Sequence, residues 1–335
     1  MFRVGVTGDF LKPDGSCGFG DIGLEQLTAA GVEWEFFPFA RELPPEASDY
    51  DGLLVLAPSV TAQTVAGGGN LKVVARFGVG YDSVDVAACT AAGVLVTITP
   101  DGVRRPVATA ALTLILALAH KLVIKDRLTR TGRWTERLDH TGVGLTGRTL
   151  GIIGLGNIGR DLARLTQPLD MRLQAADPWI TPDAARNTGV ELVPLDDLLQ
   201  TSDFVCITCA LTPETKHLLN ADKLRLMKPT AFLVNIARGP IVDQAALTRA
   251  LQAGQIAGAG LDVFDVEPVP ATEALLSLEN VIVAPHSLCW TDECFRLIGH
   301  SAIRSLLDVA AGRAPQNIVN REALPHPRLA HLVGK

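Results

Sequence analysis

The feature that most constrains this chain is the run Leu150-Gly151-Ile152-Ile153-Gly154-Leu155-Gly156-Asn157-Ile158-Gly159-Arg160. Leu150 to Ile153 are apolar or small without polar alternation, the pattern of a parallel strand buried on both faces. Ile158, Leu162 and Leu165 then recur at helical spacing. Between strand and helix, Gly154, Gly156 and Gly159 stand at G-x-G-x-x-G spacing. Gly154 permits a tight turn, Gly156 lets the backbone approach a pyrophosphate, and Gly159 lets helix and strand pack closely. The helix start at Asn157 and Ile158 offers unpaired N–H groups and the positive end of a dipole. Such turns also serve packing alone, so the next strand is decisive. Arg172-Leu173-Gln174-Ala175-Ala176 runs into Asp177, 18 positions beyond Gly159, where a carboxylate can bind both hydroxyls of a ribose. Pro178 and Trp179 follow, with no Arg to receive a 2′-phosphate. The pattern predicts a dinucleotide site that takes NAD rather than NADP.

Around this unit, apolar strand patterns alternate with helical ones. Strands are expected at Arg3 to Thr7, Val32 to Pro38, Leu53 to Leu56, Leu71 to Ala75 and Val94 to Thr97, then at Asp203 to Thr208, Ala231 to Ile236, Ala257 to Asp262 and Val281 to Ala284. Helical stretches such as Leu24 to Ala30, Val84 to Ala92, Asp196 to Gln200 and Gln244 to Ala253 separate them. This is an α/β chain with two doubly wound parallel-sheet domains. Thr99-Pro100-Asp101-Gly102 reads as a turn and marks the first boundary, with Pro106 opening an apolar helix to Ala119 that His120 and Lys121 close. Arg127 to Gly144 reads as a loop. The helix around Glu293 to Ala311 has no sheet partner nearby and is expected to return to the first domain. The domains are therefore 1–102 with 287–335, and an inserted 103–286.

The chain of 335 residues carries a net charge of −6, which counts against nucleic acid as a partner. The start of the chain reads directly as a strand, without the layout of a signal peptide. The longest uncharged apolar run, Val107 to Ala119, has about 13 residues against the ~20 needed to span a bilayer, so a buried helix is expected and no membrane partner. Six cysteines in a chain of this length are not a disulfide framework. Cys206-x-x-Cys209 lies in an apolar strand, where residues three apart face opposite sides, so the thiols read as inert core. A reducing cytoplasm fits them.

Three polar groups each follow a strand of the second domain: Arg238 after Asn235-Ile236-Ala237, Asp262 and Glu267 in Gly260-Leu261-Asp262-Val263-Phe264-Asp265-Val266-Glu267-Pro268, and His286 after Ala284-Pro285. In a doubly wound sheet these carboxyl ends converge on the crevice that holds the dinucleotide. Singly, each has a plain structural alternative: a surface ion pair, a turn residue, a helix entry. Together they supply a guanidinium fork for a carboxylate, a general acid/base, and a carboxylate that favours the charged imidazole. In the first domain, Arg76-Phe77-Gly78-Val79-Gly80-Tyr81-Asp82 could form an anion-binding nest or an ordinary strand-ending turn. The Gly8 to Gly23 loop, at the carboxyl edge of the first strand, could touch a ligand or be simple surface.

Across nearly its whole length the chain resembles the D-isomer-specific 2-hydroxyacid dehydrogenases, most specifically in Met227 to Gly239, Gly258 to Pro268 and Asn280 to His286. The resemblance implies a Rossmann NAD-binding domain inserted in a flavodoxin-like substrate domain, a cleft between them, and a homodimer contact through the Val107 to Ala119 helix and the Arg127 to Gly144 segment. It implies that Arg238 binds the substrate carboxylate and carbonyl oxygen, that His286 is the general acid/base, and that Glu267 pairs with His286. Asp262 would hold the nicotinamide carboxamide, Ala210 and Ala237 would line the cofactor, and backbone groups of Val79 and Gly80 would take the substrate carboxylate. The implied reaction interconverts a D-2-hydroxy acid and its 2-oxo acid without a metal. The alternatives are an NAD-sensing scaffold of the C-terminal-binding-protein type, which shares the architecture, and formate or phosphite dehydrogenase.

The chain departs from the family pattern at several points. Thr109 replaces a frequent glutamate, Thr208-Cys209-Ala210-Leu211-Thr212 stands for an H-x-P-L-T block, and Ser287-Leu288-Cys289-Trp290 replaces a small-residue continuation. Trp290 could close over substrate, brace a hinge or pack in a core. Cys289 and Cys294 near His286 do not make a zinc site. Arg104 and Arg105 are either a solvated pair or a hint of a second anionic group on the substrate. Glyoxylate and hydroxypyruvate stay open beside longer sugar or phosphorylated acids.

Overall fold

The computed structural model describes all residues except 39–40, 67–68 and 334–335. The chain divides into two compact units, Met1–Val103 with Trp290–Lys335, and Arg104–Cys289.

The first unit is built on five parallel strands: β1 (Arg3–Thr7), β2 (Glu33–Phe37), β3 (Gly52–Val55), β4 (Val73–Arg76) and β5 (Leu95–Thr97). Their order is β2-β1-β3-β4-β5, the flavodoxin-like winding. Val4, Val6, Leu53, Val55 and Val74 are fully buried, as expected of strands covered on both faces. Short helices α1 (Leu24–Ala29), α2 (Ala62–Ala66) and α3 (Val86–Ala91) make the crossovers. The Asp85 carboxylate caps α3 by accepting the Ala88 N–H.

Helix α4 spans Pro100–Ala119, which corrects two expectations. Thr99 to Gly102 is not a turn, because Pro100 takes the first helical position, where its missing N–H leaves nothing unpaired. Pro106 therefore lies inside the helix, removing one backbone bond, rather than opening it. The boundary between the units falls within α4, after Val103. With its first turn included, α4 is long and apolar enough to cross a membrane by length and composition, yet 56% of its most apolar window is buried in the fold, as in a core helix. Lys121, at φ +53°, separates α4 from α5 (Leu122–Arg130), and a 3-10 turn follows at Trp134–His140. The stretch 127–144 is therefore not simply a loop. Ion pairs at helical spacing, Arg130 with Asp126 and Arg133 with Glu136, support structure that apolar periodicity does not reveal.

The second unit carries seven parallel strands: β6 (Thr149–Ile153), β7 (Arg172–Ala176), β8 (Glu191–Leu192), β9 (Phe204–Ile207), β10 (Phe232–Asn235), β11 (Gly258–Leu261) and β12 (Val281–Val283). Their order, β12-β11-β10-β9-β6-β7-β8, is the Rossmann winding with one further strand. Helices α6 (Asn157–Thr166), α7 (Pro182–Arg186), α8 (Leu195–Thr201), α9 (Ala221–Leu224) and α10 (Gln244–Gln252) connect them. Side chains alternate with period two: Leu150, Ile152, Cys206 and Val234 enter one core, Ile153, Val205, Ile207 and Leu233 the other.

Helix α11 (Asp292–Ala310) returns to the first unit, as expected, and packs on β3, β4 and α1. A Cβ on Gly52 would lie 2.7 Å from a Leu306 methyl, and one on Gly102 would lie 2.7 Å from the Ile298 backbone nitrogen, so both glycines permit this close approach.

Candidate active site

The glycine turn sits where strand order reverses, between β6 and β9. Gly154 has φ +93°, and a Cβ there would lie 2.7 Å from the Cys209 backbone. A Cβ on Gly159 would lie 2.4 Å from the Gly154 carbonyl oxygen, so only glycine lets α6 start this near the strand. At Gly156 a Cβ would meet nothing within 4 Å. Its place is open, as a turn that admits a phosphate requires. No side chain caps α6, which leaves the N–H groups around Asn157 and Ile158 available. Asp177 accepts the Leu155 N–H on Oδ2 and the Trp179 N–H on Oδ1, each at 2.8 Å. Each oxygen keeps a further lone pair for a ribose hydroxyl. These residues fit a dinucleotide. Sequence reasoning missed Thr208, whose hydroxyl donates to the Gly154 carbonyl at 2.5 Å and ties the end of β9 to the turn.

Cys206 and Cys209 serve opposite cores of this unit. Burial pushes the Cys206 thiol far up and that of Cys209 to about 11, so both are neutral at physiological pH. Among the described residues no group of three or more His, Cys, Asp and Glu is placed to hold a metal. Ala210, at the cofactor edge of the expected pocket, is exposed, and its carbonyl accepts the Thr215 hydroxyl.

Arg238 is placed by a buried asparagine that the sequence reading passed over. Asn235, 1% exposed, accepts the Ala237 N–H at 3.0 Å and donates to the Arg238 carbonyl at 2.9 Å, folding the chain into a bend after β10. An amide at the end of an apolar strand, two and three residues before its partners, was the available signal. Gly239 then allows contact with the next loop. A Cβ there would fall 2.0 Å from the Phe264 carbonyl carbon, so any side chain would drive the Arg238 and Glu267 loops apart.

In that second loop, Glu267 Oε1 accepts the Phe264 N–H at 2.9 Å, which turns Oε2 toward His286. His286 Nδ1 and Glu267 Oε2 lie 2.6 Å apart. Burial works to raise the Glu267 carboxyl. It is outweighed by the His286 hydrogen bond, the Phe264 N–H and the nearby charges of His286 and Arg238, which together hold it below the usual carboxylate range. An ionised carboxylate only accepts, so Nδ1 carries the proton and Nε2 is left for chemistry.

His286 adopts φ +53°, a left-handed conformation that costs a non-glycine residue about 1 kcal/mol or more. Asp262 braces it. Its buried carboxylate accepts the N–H groups of Ser287 at 3.0 Å and Leu288 at 3.2 Å, immediately after the histidine. Burial raises the Asp262 carboxyl, against the opposing effect of these two donors. Asp262, Glu267, Arg238, Ala237 and His286 thus gather at the carboxyl ends of β10, β11 and β12, with their loops in direct contact.

In the first unit, Gly78 (φ +139°) turns the chain after β4. Among the described residues the N–H groups of Val79 and Gly80 have no acceptor, and both residues are half-buried. The turn follows a cluster of rings. Phe10, Phe19 and Phe77 meet edge to face, and Phe19 also meets Trp290 and Phe295. The Gly8 to Gly23 loop contributes Phe10 and Phe19, so it is packed rather than merely superficial. Trp290 joins the same cluster while half its surface is exposed.

Arg105 is exposed but ion-paired. Its Nε lies 3.0 Å from the carboxylate of Asp161, a buried residue of α6 that also accepts from Arg164. Arg104 is half-buried, with a buried Nε that makes no hydrogen bond. Thr109 turns its hydroxyl back onto the Arg105 carbonyl within α4.

Comparison with known proteins agrees with this chemistry. Residues 112–287 match the family model described as D-isomer specific 2-hydroxyacid dehydrogenase, NAD binding domain. A glyoxylate reductase of Thermococcus onnurineus is 41% identical over 283 residues, covering 82% of this chain and 84% of its own. Among solved structures, the TT0316 protein of Thermus thermophilus superposes with a TM-score of 0.83 at 33% identity, covering 95% of this chain and all of its own. A D-lactate dehydrogenase of Aquifex aeolicus, solved with NAD and lactic acid, superposes at 0.80 with 26% identity, covering 92% and 96%. These relatives select the enzyme over the sensing scaffold. The chain belongs to the D-isomer-specific 2-hydroxyacid dehydrogenases, NAD-dependent enzymes that interconvert 2-hydroxy and 2-oxo acids.

Proposed function

We propose that this enzyme reduces a short 2-oxo acid of the glyoxylate or hydroxypyruvate kind, with His286 as general acid and Arg238 as carboxylate anchor. The observation that carries the assignment is the 2.6 Å pair of His286 and Glu267 at the same sheet edge as Arg238. Arg238 offers its planar fork to the substrate carboxylate and polarises the carbonyl oxygen. His286, held at Nδ1 by Glu267, donates from Nε2–H to that oxygen as it gains charge. In the reverse direction the neutral ring accepts the hydroxyl proton. Glu267 fixes the ring, and Asp262 holds the strained backbone behind it and would hold the nicotinamide carboxamide. Gly154, Gly156, Asn157, Ile158, Gly159, Asp177, Ala210, Ala237 and Asp262 would hold NAD, which would supply or accept a hydride at C2. In the first unit, Val79 and Gly80 offer backbone N–H groups suited to an anion such as a carboxylate.

A short substrate is favoured because Arg105, one of the Arg104/Arg105 pair that hinted at a second anionic group, is committed to Asp161. The exposed apolar residues Leu122, Val123, Trp134 and Leu138, gathered on α5 and the turn after it, support a homodimer through that surface. The free thiols of Cys17, Cys89, Cys206 and Cys209 fit a cytoplasmic enzyme.

The test is NADH oxidation against a panel running from glyoxylate and hydroxypyruvate to 2-oxoglutarate and phosphorylated acids. Short acids should give the highest kcat/KM, and His286→Ala should lower turnover about 10²–10⁴-fold while leaving NADH affinity intact. Preference for a doubly charged acid would overturn the substrate assignment, and full activity of His286→Ala the mechanism.

A further inference from the structure

Apart from the catalytic groups, the first unit contains a cavity of ≈ 320 Å³ between α11 and the start of α4. One wall is a row on α11: Arg296, His300 and Arg304, at i, i+4 and i+8, so that all three share a helix face. The opposite wall is the first turn of the 20-residue α4, at Asp101 and Gly102. The two helices meet here because Gly102 has no side chain to hold them apart.

Arg296 and Arg304 are exposed and keep their guanidinium groups open toward the cavity mouth. Arginines elsewhere, such as Arg3, Arg105, Arg130, Arg148 and Arg313, form ion pairs. Among the described residues Arg296 and Arg304 form no hydrogen bond or ion pair. His300 Nε2 is buried with no hydrogen-bond partner, which a native fold seldom leaves unexplained. Two acids line the same space. Asp308 is taken by Arg313, and Asp101 stands alone in the first turn of α4. At the α4 start Pro100 has no N–H and the Gly102 N–H donates to the Thr99 carbonyl at 3.1 Å, so the positive end of the dipole is what α4 adds to the cationic side.

We infer that this cavity binds the phosphate group of a small ligand, gripped by Arg296 and Arg304 beside the first turn of α4. Two guanidinium forks suit a tetrahedral oxyanion better than a planar carboxylate can fill both. The cavity greatly exceeds the ~30 Å³ share of one water in the liquid, so an anion enters without repacking. The inference is independent of the reaction assigned to His286.

Binding is tested by calorimetry on the intact enzyme saturated with NADH, which keeps phosphate off the glycine turn. Inorganic phosphate and glycerol phosphate are the probes. Saturable binding is expected, weakened roughly tenfold or more for each guanidinium removed in Arg296→Gln and Arg304→Gln. Asp101→Asn should tighten it about threefold by removing a like charge. None of the three should alter turnover in the absence of added phosphate. Equal binding of both probes marks a free-anion site, and tighter glycerol phosphate a phosphomonoester site. Absence of saturable binding in the folded wild type, or affinities unchanged in all three variants, would overturn the inference.

Discussion

Replacing Glu267 by glutamine should slow the reaction without dismantling the site. Glutamine keeps an oxygen for the Phe264 N–H, so the loop is retained while the negative charge beside His286 is lost. At a 4 Å charge separation and an effective dielectric of 20, the lost attraction would be about 4 kcal/mol. The side chains of His286 and Glu267 are 45% and 35% exposed, so solvent screening takes away most of that. A charge-assisted hydrogen bond at the low end, about 1.5 kcal/mol, is the better measure. At about 1.4 kcal/mol per factor of ten, the loss in kcat/KM is roughly tenfold. Both directions should lose it, because Glu267 orients the ring that donates the proton in reduction and accepts it in oxidation. The assay is kcat/KM in both directions, followed by NADH absorbance. Unchanged kcat/KM in both directions would refute the role given to Glu267.

Arg238→Lys keeps the charge but loses the fork, and should lower kcat/KM for the 2-oxo acid by about 10–100-fold with NADH affinity unchanged, as titrated by fluorescence. Gly239→Ala places a methyl on the Phe264 backbone, and should cost about 1–3 kcal/mol of stability together with most of the activity. Thermal unfolding and turnover check both. Asp203 accepts the Thr149 N–H at 2.9 Å and pairs with Lys228 and Arg148. Burial raises its carboxyl, but these partners prevail and hold it below the ordinary range. Its stabilisation is therefore complete above the ordinary carboxylate range and is lost as pH falls through the lowered value. Asp203→Asn should cost about 1–3 kcal/mol at neutral pH, a gap that closes in acid. Urea unfolding at neutral and acidic pH tests this, and a gap independent of pH would refute it.

Much of the fold is legible in the chain because strand burial and helix periodicity are local. The all-apolar runs at Leu150 to Ile153 and Phe204 to Ile207 need no neighbour to announce a buried parallel strand. The elements that escaped were those whose signals are not apolar. Helix α5 is supported by charged pairs, and the first turn of α4 carries Pro100, Asp101 and Gly102, residues that serve a turn equally well. Pro106 read as a helix start because interior prolines are costly. Only the tertiary frame, with Gly102 pressed on Ile298, shows that α4 begins a turn and a half earlier.

The candidate site divides in the same way. Residue types at strand ends, with glycine spacing and an acid 18 positions on, determined by themselves that this chain binds a dinucleotide and which polar groups stand beside it. These are properties of short segments whose backbone geometry follows from their own residues. What only tertiary structure decided is which of those groups face one another. Asn235 shapes the bend that carries Arg238, Gly239 lets two loops touch, and Asp262 clamps the strained backbone of His286. Arg105 is taken by an aspartate 56 residues away. Such pairings depend on how strands from distant parts of the chain are ordered in the sheet, and a linear sequence holds that order only through the packing of the whole.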